Sequence, residues 1–209
     1  MKRLILLGVL SLGWVLPALA QKDKRAADIL DAMSKKYSAL NAYQATFTTT
    51  GGAGNYKGDL AVKGDKFRLT LAGQEVFTDG KIMSTYVKET NEVNVQNYDQ
   101  GDASELNPAK IYSLYKKGYD YKFTGEQKAA GQPVEVVELT PEKKNGQISK
   151  VQIAIAKNDK SIKSWKIYDK SGKATSYKID KFTPNPNLPD NYFVFDKAKH
   201  PGVEVIDLR

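Results

Sequence analysis

From Lys24 to Leu40 the apolar positions Ala26, Leu30, Met33, Tyr37 and Leu40 recur at spacings of four and three, with Asp28, Asp31, Lys35 and Lys36 largely off that stripe. This is the pattern of an amphipathic helix, and Asn41 is a suitable stop. After it the period changes to two. Gln44 to Thr50, Tyr56 to Lys63 and Lys66 to Leu71 read as strands, with Phe67, Leu69 and Leu71 on one face. Gln74 to Thr78 and Lys81 to Lys88 flank Asp79-Gly80, the strongest hairpin signal in the chain. Glu92 to Asn97 alternates again, with Val93 and Val95 expected inward.

Asp99 to Glu105 is polar and expected as a loop. Asn107-Pro108 then reads as an N-cap followed by proline at the first helical position, and Ile111, Leu114 and Tyr115 make the apolar face of a short second helix ended by Gly118. Alternation resumes at Tyr119, Tyr121 and Phe123, and continues through Val134 to Thr140, Ile148 to Ala156, Ser161 to Asp169 and Ala174 to Phe182. Turn residues such as Asn145-Gly146 and Ser171-Gly172 separate these runs. Pro184, Pro186 and Pro189 argue against regular structure before Phe193, and Val203 to Ile206 predicts a last short strand.

About eleven successive antiparallel strands are too many for a flat sheet, and two helices are too few to cover both its faces. The expected fold is therefore mainly β (α+β). It is an incomplete, strongly curved antiparallel β-barrel with a helical lid or plug on its concave side.

The first twenty residues follow a different logic. Lys2 and Arg3 precede the apolar run Leu4 to Leu16, and Ala18-Leu19-Ala20 follows Pro17. That is the design of a secretory signal peptide cut after Ala20, and the run is short for a membrane span. Residues 21–209 are then expected to be exported and soluble, as one domain.

Composition narrows the chemistry. The 209 residues carry a formal charge of +8, with 41% hydrophobic and 27% charged residues, enough for a sizeable core. Only Arg3, Arg25, Arg68 and Arg209 of the 32 basic residues are arginine, and the lysines are spread along the strands. Nucleic-acid recognition, which favours arginine, is not expected. With no cysteine there can be no disulfide, thiolate metal site, cysteine nucleophile or cysteine-borne lipid anchor. A single histidine, His200, excludes a multi-histidine metal centre and reads as a surface residue.

The chain has no nucleophile elbow, Walker loop, zincin helix or dinucleotide fingerprint. Glu135 and Glu138 are three apart on a strand, so they point to opposite faces and read as solvated or strand-edge charge rather than as a catalytic pair. No enzyme activity, cofactor or metal is expected. What the chain does supply is aromatic side chains, 12 Tyr, 7 Phe and 2 Trp, enough either to fill a barrel or to line one.

The order of motifs resembles the LolA-like family of periplasmic carriers for outer-membrane lipoproteins. Tyr43-Gln44-Ala45-Thr46-Phe47-Thr48 is similar to that family's opening strand, and Gly58-Asp59-Leu60-Ala61-Val62-Lys63 to its second. Phe67-Arg68-Leu69, Thr78-Asp79-Gly80-Lys81 and Tyr86 resemble its next hairpin, and Asn107-Pro108 with Tyr112-Ser113-Leu114 its mid-chain helices. Phe193-Val194-Phe195 and Gly202 to Asp207 resemble its ending.

The resemblance implies an apolar cavity that takes the acyl chains of lipoproteins, received from an inner-membrane ABC transporter and passed to an outer-membrane receptor, by a monomer without catalytic residues or cofactor. It makes Leu30, Met33, Tyr37, Ile111, Leu114 and Tyr115 the expected underside of the lid. Phe47, Leu60, Phe67, Leu69, Phe77, Met83, Tyr86, Tyr121 and Trp165 become the expected cavity wall.

The family's Arg-Pro pair after the second strand, whose arginine tethers the lid, is replaced here by Gly64, Asp65 and Lys66, so Arg68 or tyrosine hydroxyls are expected to hold it. Two other classes compete with the carrier. One is a lipid- or envelope-sensing module of the same fold that regulates a partner protein; the other is a structural envelope protein with a filled barrel.

Overall fold

A computed structural model describes residues 23–52, 54–98, 108–129, 131–143 and 146–209. The expected signal segment, the 99–105 loop, Ala53, Asn107 and Asn145 lie outside the described residues. Among the described residues one α-helix, α1 (Lys24–Ser38), is followed by twelve strands: β1 Tyr43–Gly51, β2 Tyr56–Lys63, β3 Lys66–Leu71, β4 Gln74–Thr78, β5 Ile82–Val87 and β6 Glu92–Asn97, then β7 Tyr119–Ala129, β8 Gln132–Pro141, β9 Ile148–Ala156, β10 Ile162–Asp169, β11 Ala174–Pro184 and β12 Glu204–Asp207. Among the described residues, no helix is long and apolar enough to cross a membrane.

The strands form one sheet in the order β12-β6-β5-β4-β3-β2-β1-β11-β10-β9-β8-β7, leaving β12 and β7 as its free edges. Pairing is antiparallel throughout β1 to β11, while β12 runs parallel to β6, a departure from the expected antiparallel succession. The sheet curls strongly but does not close. Twist accumulates over so many strands, and register shifts at Thr46/Phe47, Phe123/Gly125 and Ile162/Ser164 add local bends.

The concave face holds the main core, in which Leu30, Met33, Val137, Leu139, Val151, Ile153 and Ile155 are fully buried. α1 packs there and is tied at both ends. Asp23 caps its first turn through Oδ1, which accepts from the Ala26 N–H at 3.1 Å, while its Oδ2 accepts from the Phe123 N–H of β7 at 2.8 Å. Arg25 lies over the Phe123 ring and pairs with Glu126. At the other end Lys36 pairs with Asp159 at 3.0 Å, and the Tyr37 hydroxyl accepts from the Ile162 N–H at 3.0 Å.

The second expected helix is instead a 3-10 segment, Pro108–Lys116. The proline-rich stretch also differs: β11 runs on to Pro184, and a 3-10 turn occupies Asp190–Phe193.

The far half of the sheet is buried the other way. Phe77, Tyr86, Val93 and Val203 form a separate cluster with Val95 and Phe195 on the convex face, because the C-terminal segment crosses there. Val93 and Val95 thus face outward from the barrel, not inward. Leu188 and Phe193 of the same segment pack on Ala42 and Ala61. His200 is half-buried rather than a free surface residue, its ring 4.4 Å from Tyr86 and 4.5 Å from Phe195.

Glu135 and Glu138 do point to opposite faces, but both are buried. Glu135 pairs with Lys160 at 2.7 Å and Arg25 at 3.5 Å, and Glu138 with Lys122 at 3.0 Å and Lys150 at 3.1 Å. Each is a strand-crossing clamp whose cations come from neighbouring elements.

Candidate functional site: an apolar cavity under the 3-10 segment

An apolar cavity of about 140 Å³ lies inside the curled sheet, walled by Phe47, Leu60, Leu69, Leu71, Trp165, Ile167 and Tyr177 and covered by Ile111. Register explains the set. Phe47 sits opposite Gly58, Leu60 opposite Leu69 and Trp165 opposite Tyr177, so each pair shares the concave face. Trp165 and Tyr177 stack at 4.9 Å with planes 7° apart, and Phe47 tilts against both. Gly58 is required for this wall: a Cβ there would stand 2.4 Å from Phe47 Cζ, so the bare backbone is what seats the ring.

Five of the expected residues line the cavity: Phe47, Leu60, Leu69, Ile111 and Trp165. Leu30, Met33, Tyr37, Phe67, Leu114, Tyr115 and Tyr121 belong to the surrounding core. Phe77 and Tyr86 belong to the convex cluster and are separated from the cavity by the sheet. Met83 pairs with Thr78 on β4 and is half-buried, also away from the cavity lining. Sequence reasoning missed Leu71, Ile167 and Tyr177.

The cover and the plug are distinct parts. α1 is fixed by the contacts described above, and the 3-10 segment meets it through Tyr112 and Tyr115. The Tyr115 hydroxyl donates to Asp31 Oδ1 at 2.5 Å, and Tyr112 stacks on Tyr37 at 5.9 Å. Burial, reinforced by the Asp31 carboxylate, pushes the Tyr115 hydroxyl up to about 12. Burial likewise pushes Tyr37 up to about 12, and raises Tyr43 beside it. These hydroxyls stay neutral at physiological pH. Arg68 does not hold the cover: it lies on the convex face, paired with Glu75 at 2.7 Å and packed against Phe77 and Tyr192. Of the groups expected to tether the lid, a tyrosine hydroxyl, Tyr115, bonds to α1, whereas Arg68 is on the other face because residue 68 alternates out of phase with Phe67 and Leu69.

A roomier hollow of about 350 Å³ lies on the convex side, but its wall includes Gln44, Thr46, Asp59, Arg68, Thr70 and Lys181. Such groups favour water over hydrocarbon. The concave cavity is the one whose chemistry matches an apolar ligand. Among the described residues no group of three metal-ligating side chains comes together.

A sequence-family model described as outer membrane lipoprotein carrier protein LolA matches residues 38–196, more than half of the chain. Comparison with curated protein sequences finds no match. Among solved structures, an uncharacterized conserved protein of Thermus thermophilus superposes with a TM-score of 0.61 at 15% identity, over 88% of this chain and 99% of that one. Lipoprotein LppX of Mycobacterium tuberculosis gives 0.51 at 14% identity, over 80% and 99%. A chain of the Pseudomonas aeruginosa MucA/MucB complex gives 0.51 at 17%, over 83% of this chain and 62% of that one. At these identities the likeness is one of fold.

Proposed function

The chain belongs to the LolA family of outer membrane lipoprotein carrier proteins, and from that premise we propose that it carries acyl chains of lipoproteins across the periplasm in the cavity under the 3-10 segment. The observation that carries this reading is the cavity's wall, which is hydrocarbon and aromatic on every lining residue. In this reading residues 1–20 direct export and are removed, residues 21–209 work as one soluble domain, an inner-membrane ABC transporter loads the cargo, and an outer-membrane receptor takes it.

The volume sets a condition on loading. A void of about 140 Å³ is close to the ~150 Å³ that accommodates one benzene ring, and far below the ~300–1,000 Å³ of ordinary ligand sites. It admits a short stretch of one acyl chain. Longer cargo requires the cover to lift, and each further methylene then contributes about 0.8 kcal/mol relative to water. In this reading the 3-10 segment, which covers the cavity through Ile111, is the element that lifts while α1 stays in place.

Native mass spectrometry of the exported protein before and after organic extraction tests the reading. Extractable acylated cargo, lost when Ile111→Asp puts a carboxylate over the cavity, supports it. A single bare mass, unchanged when acylated lipoprotein is offered, leaves a barrel filled by its own side chains and sinks it.

One observation favours a second reading. A chain of the MucA/MucB complex shares the fold, and that complex is one of two proteins. A sensing module would bind a regulatory protein as its cavity filled; a pull-down made with and without acyl ligand separates this from carriage.

A further inference from the structure

The cavity lies toward one end of the curled sheet, and the register gathers six connections at that end: 52–55, 72–73, 88–91, 117–118, 142–147 and 170–173. Backbone bonds link neighbours along this rim. The Glu142 N–H donates to the Gly118 carbonyl at 2.9 Å, the Lys170 N–H to Gln147 at 3.1 Å and the Lys88 N–H to Gly73 at 3.0 Å. The rim carries Lys88, Lys117, Lys143, Lys170 and Lys173, all exposed, against Glu89, Glu142 and Asp169, whose carboxylate accepts from the Lys173 N–H at 3.0 Å. None of these five lysines has an ion-pair partner among the described residues.

The opposite end is arranged differently. There Lys36 pairs with Asp159, Lys63 and Lys66 with Asp190, Lys157 with Glu126 and Lys160 with Glu135. The cavity end thus presents five exposed lysines without an ion pair, together with Tyr56 at 41% exposure, while Lys35, Lys81 and Lys128 stand unpaired toward the opposite end.

We propose that this lysine rim is a docking surface for a bilayer presenting anionic phospholipid headgroups, and that it brings the cavity end of the sheet down onto the membrane. Charge complementarity selects this occupant over an acidic protein. The rim has lysines on separate turns and no arginine. Point charges on flexible stems suit a laterally mobile plane of phosphates, whereas a fixed protein surface favours the rigid fork of arginine. An exposed tyrosine at the same end suits the headgroup layer. The inference rests on the carrier reading for its purpose, acyl exchange without passage through water, and not for its test.

The test is co-sedimentation of the exported protein with vesicles of phosphatidylcholine alone or mixed with phosphatidylglycerol, in dilute and near-physiological salt. Binding is expected to the anionic vesicles only and to weaken as salt rises. Replacing Lys117, Lys143, Lys170 and Lys173 by Gln removes about fivefold per lysine, roughly a hundredfold or more together. Replacing Lys35, Lys81, Lys128 and Lys181 by Gln changes net charge equally and is expected to leave binding within about fivefold of the parent. Equal losses in the two variants, or none in the rim variant, overturn the proposal. Absence of parent binding to anionic vesicles overturns it too, and turns the rim lysines toward an acidic protein.

Uptake of a fluorescent acyl probe without vesicles, measured on all three proteins, reports the cavity separately. Loss of uptake by the parent would count against carriage and leave the vesicle result standing.

Discussion

Tyr115 on the 3-10 segment donates its hydroxyl to Asp31 on α1, and this bond joins the cover of the cavity to its fixed plug. A hydrogen bond to a charged acceptor contributes about 1.5–3 kcal/mol, less where water reaches the carboxylate, as it does at exposed Asp31. Tyr115→Phe keeps the ring and removes the bond. Release of a bound acyl probe is expected to speed up by about fivefold to tenfold, with about 1 kcal/mol lost from global stability. Stopped-flow dilution and urea unfolding check the two effects.

The same bond sets a response to alkali. The Tyr115 hydroxyl is held up at about 12 in the folded chain, against an ordinary 10.0. A raised value means that its contribution is complete below the unfolded value and is lost as pH rises through about 10 to 12. Thermal midpoints of the parent and Tyr115→Phe should converge across that window. Parallel curves would show that the hydroxyl does not latch the cover.

The Phe47–Gly58 contact makes a packing prediction. A methyl at residue 58 meets the Phe47 ring at 2.4 Å, so Gly58→Ala must push the ring away from its seat. We expect about 1–3 kcal/mol of destabilisation and weaker probe binding. Phe47→Leu in the same chain should recover part of both losses, and a double-mutant cycle measures the coupling.

Acid acts on the plug instead. Burial works against the charged Asp159 carboxylate, but the Ser161 hydroxyl and the Lys36 ammonium outweigh it and hold the group at about 2, below its ordinary 3.8. A lowered value contributes stability above pH 4 or so that disappears as pH falls toward 2. Asp159→Asn should be less stable than the parent at neutral pH and should show a smaller acid loss below pH 4. Denaturant unfolding over that range reads the difference.

Much of this architecture is legible in the sequence. Period-two alternation together with flanking turn residues places β2, β3, β4, β6 and β9 to the residue. The same alternation contains the residues missed at the cavity: Leu71 follows Leu69 by two, and Ile167 follows Trp165 by two. What a period cannot reveal is which face of a strand meets the core. Val93 and Val95 are covered by a C-terminal segment more than a hundred residues away, so their burial depends on tertiary path. Glu135 and Glu138 are buried because Lys160, Lys150 and Lys122 arrive from other elements, which no local pattern announces. The anchoring of α1 lies at the same level, since it rests on bonds such as Asp23 to Phe123 and Lys36 to Asp159.

Trp165 offers the most direct measurement of acyl binding in this cavity. The chain has two tryptophans, Trp14 and Trp165, and a protein made to begin at residue 21 carries Trp165 alone, in the cavity wall. Its fluorescence should be quenched, saturably, by a lipopeptide whose acyl chains carry bromine. Saturable binding of that lipopeptide with Trp165 emission unchanged would place the acyl chains elsewhere and contradict the account.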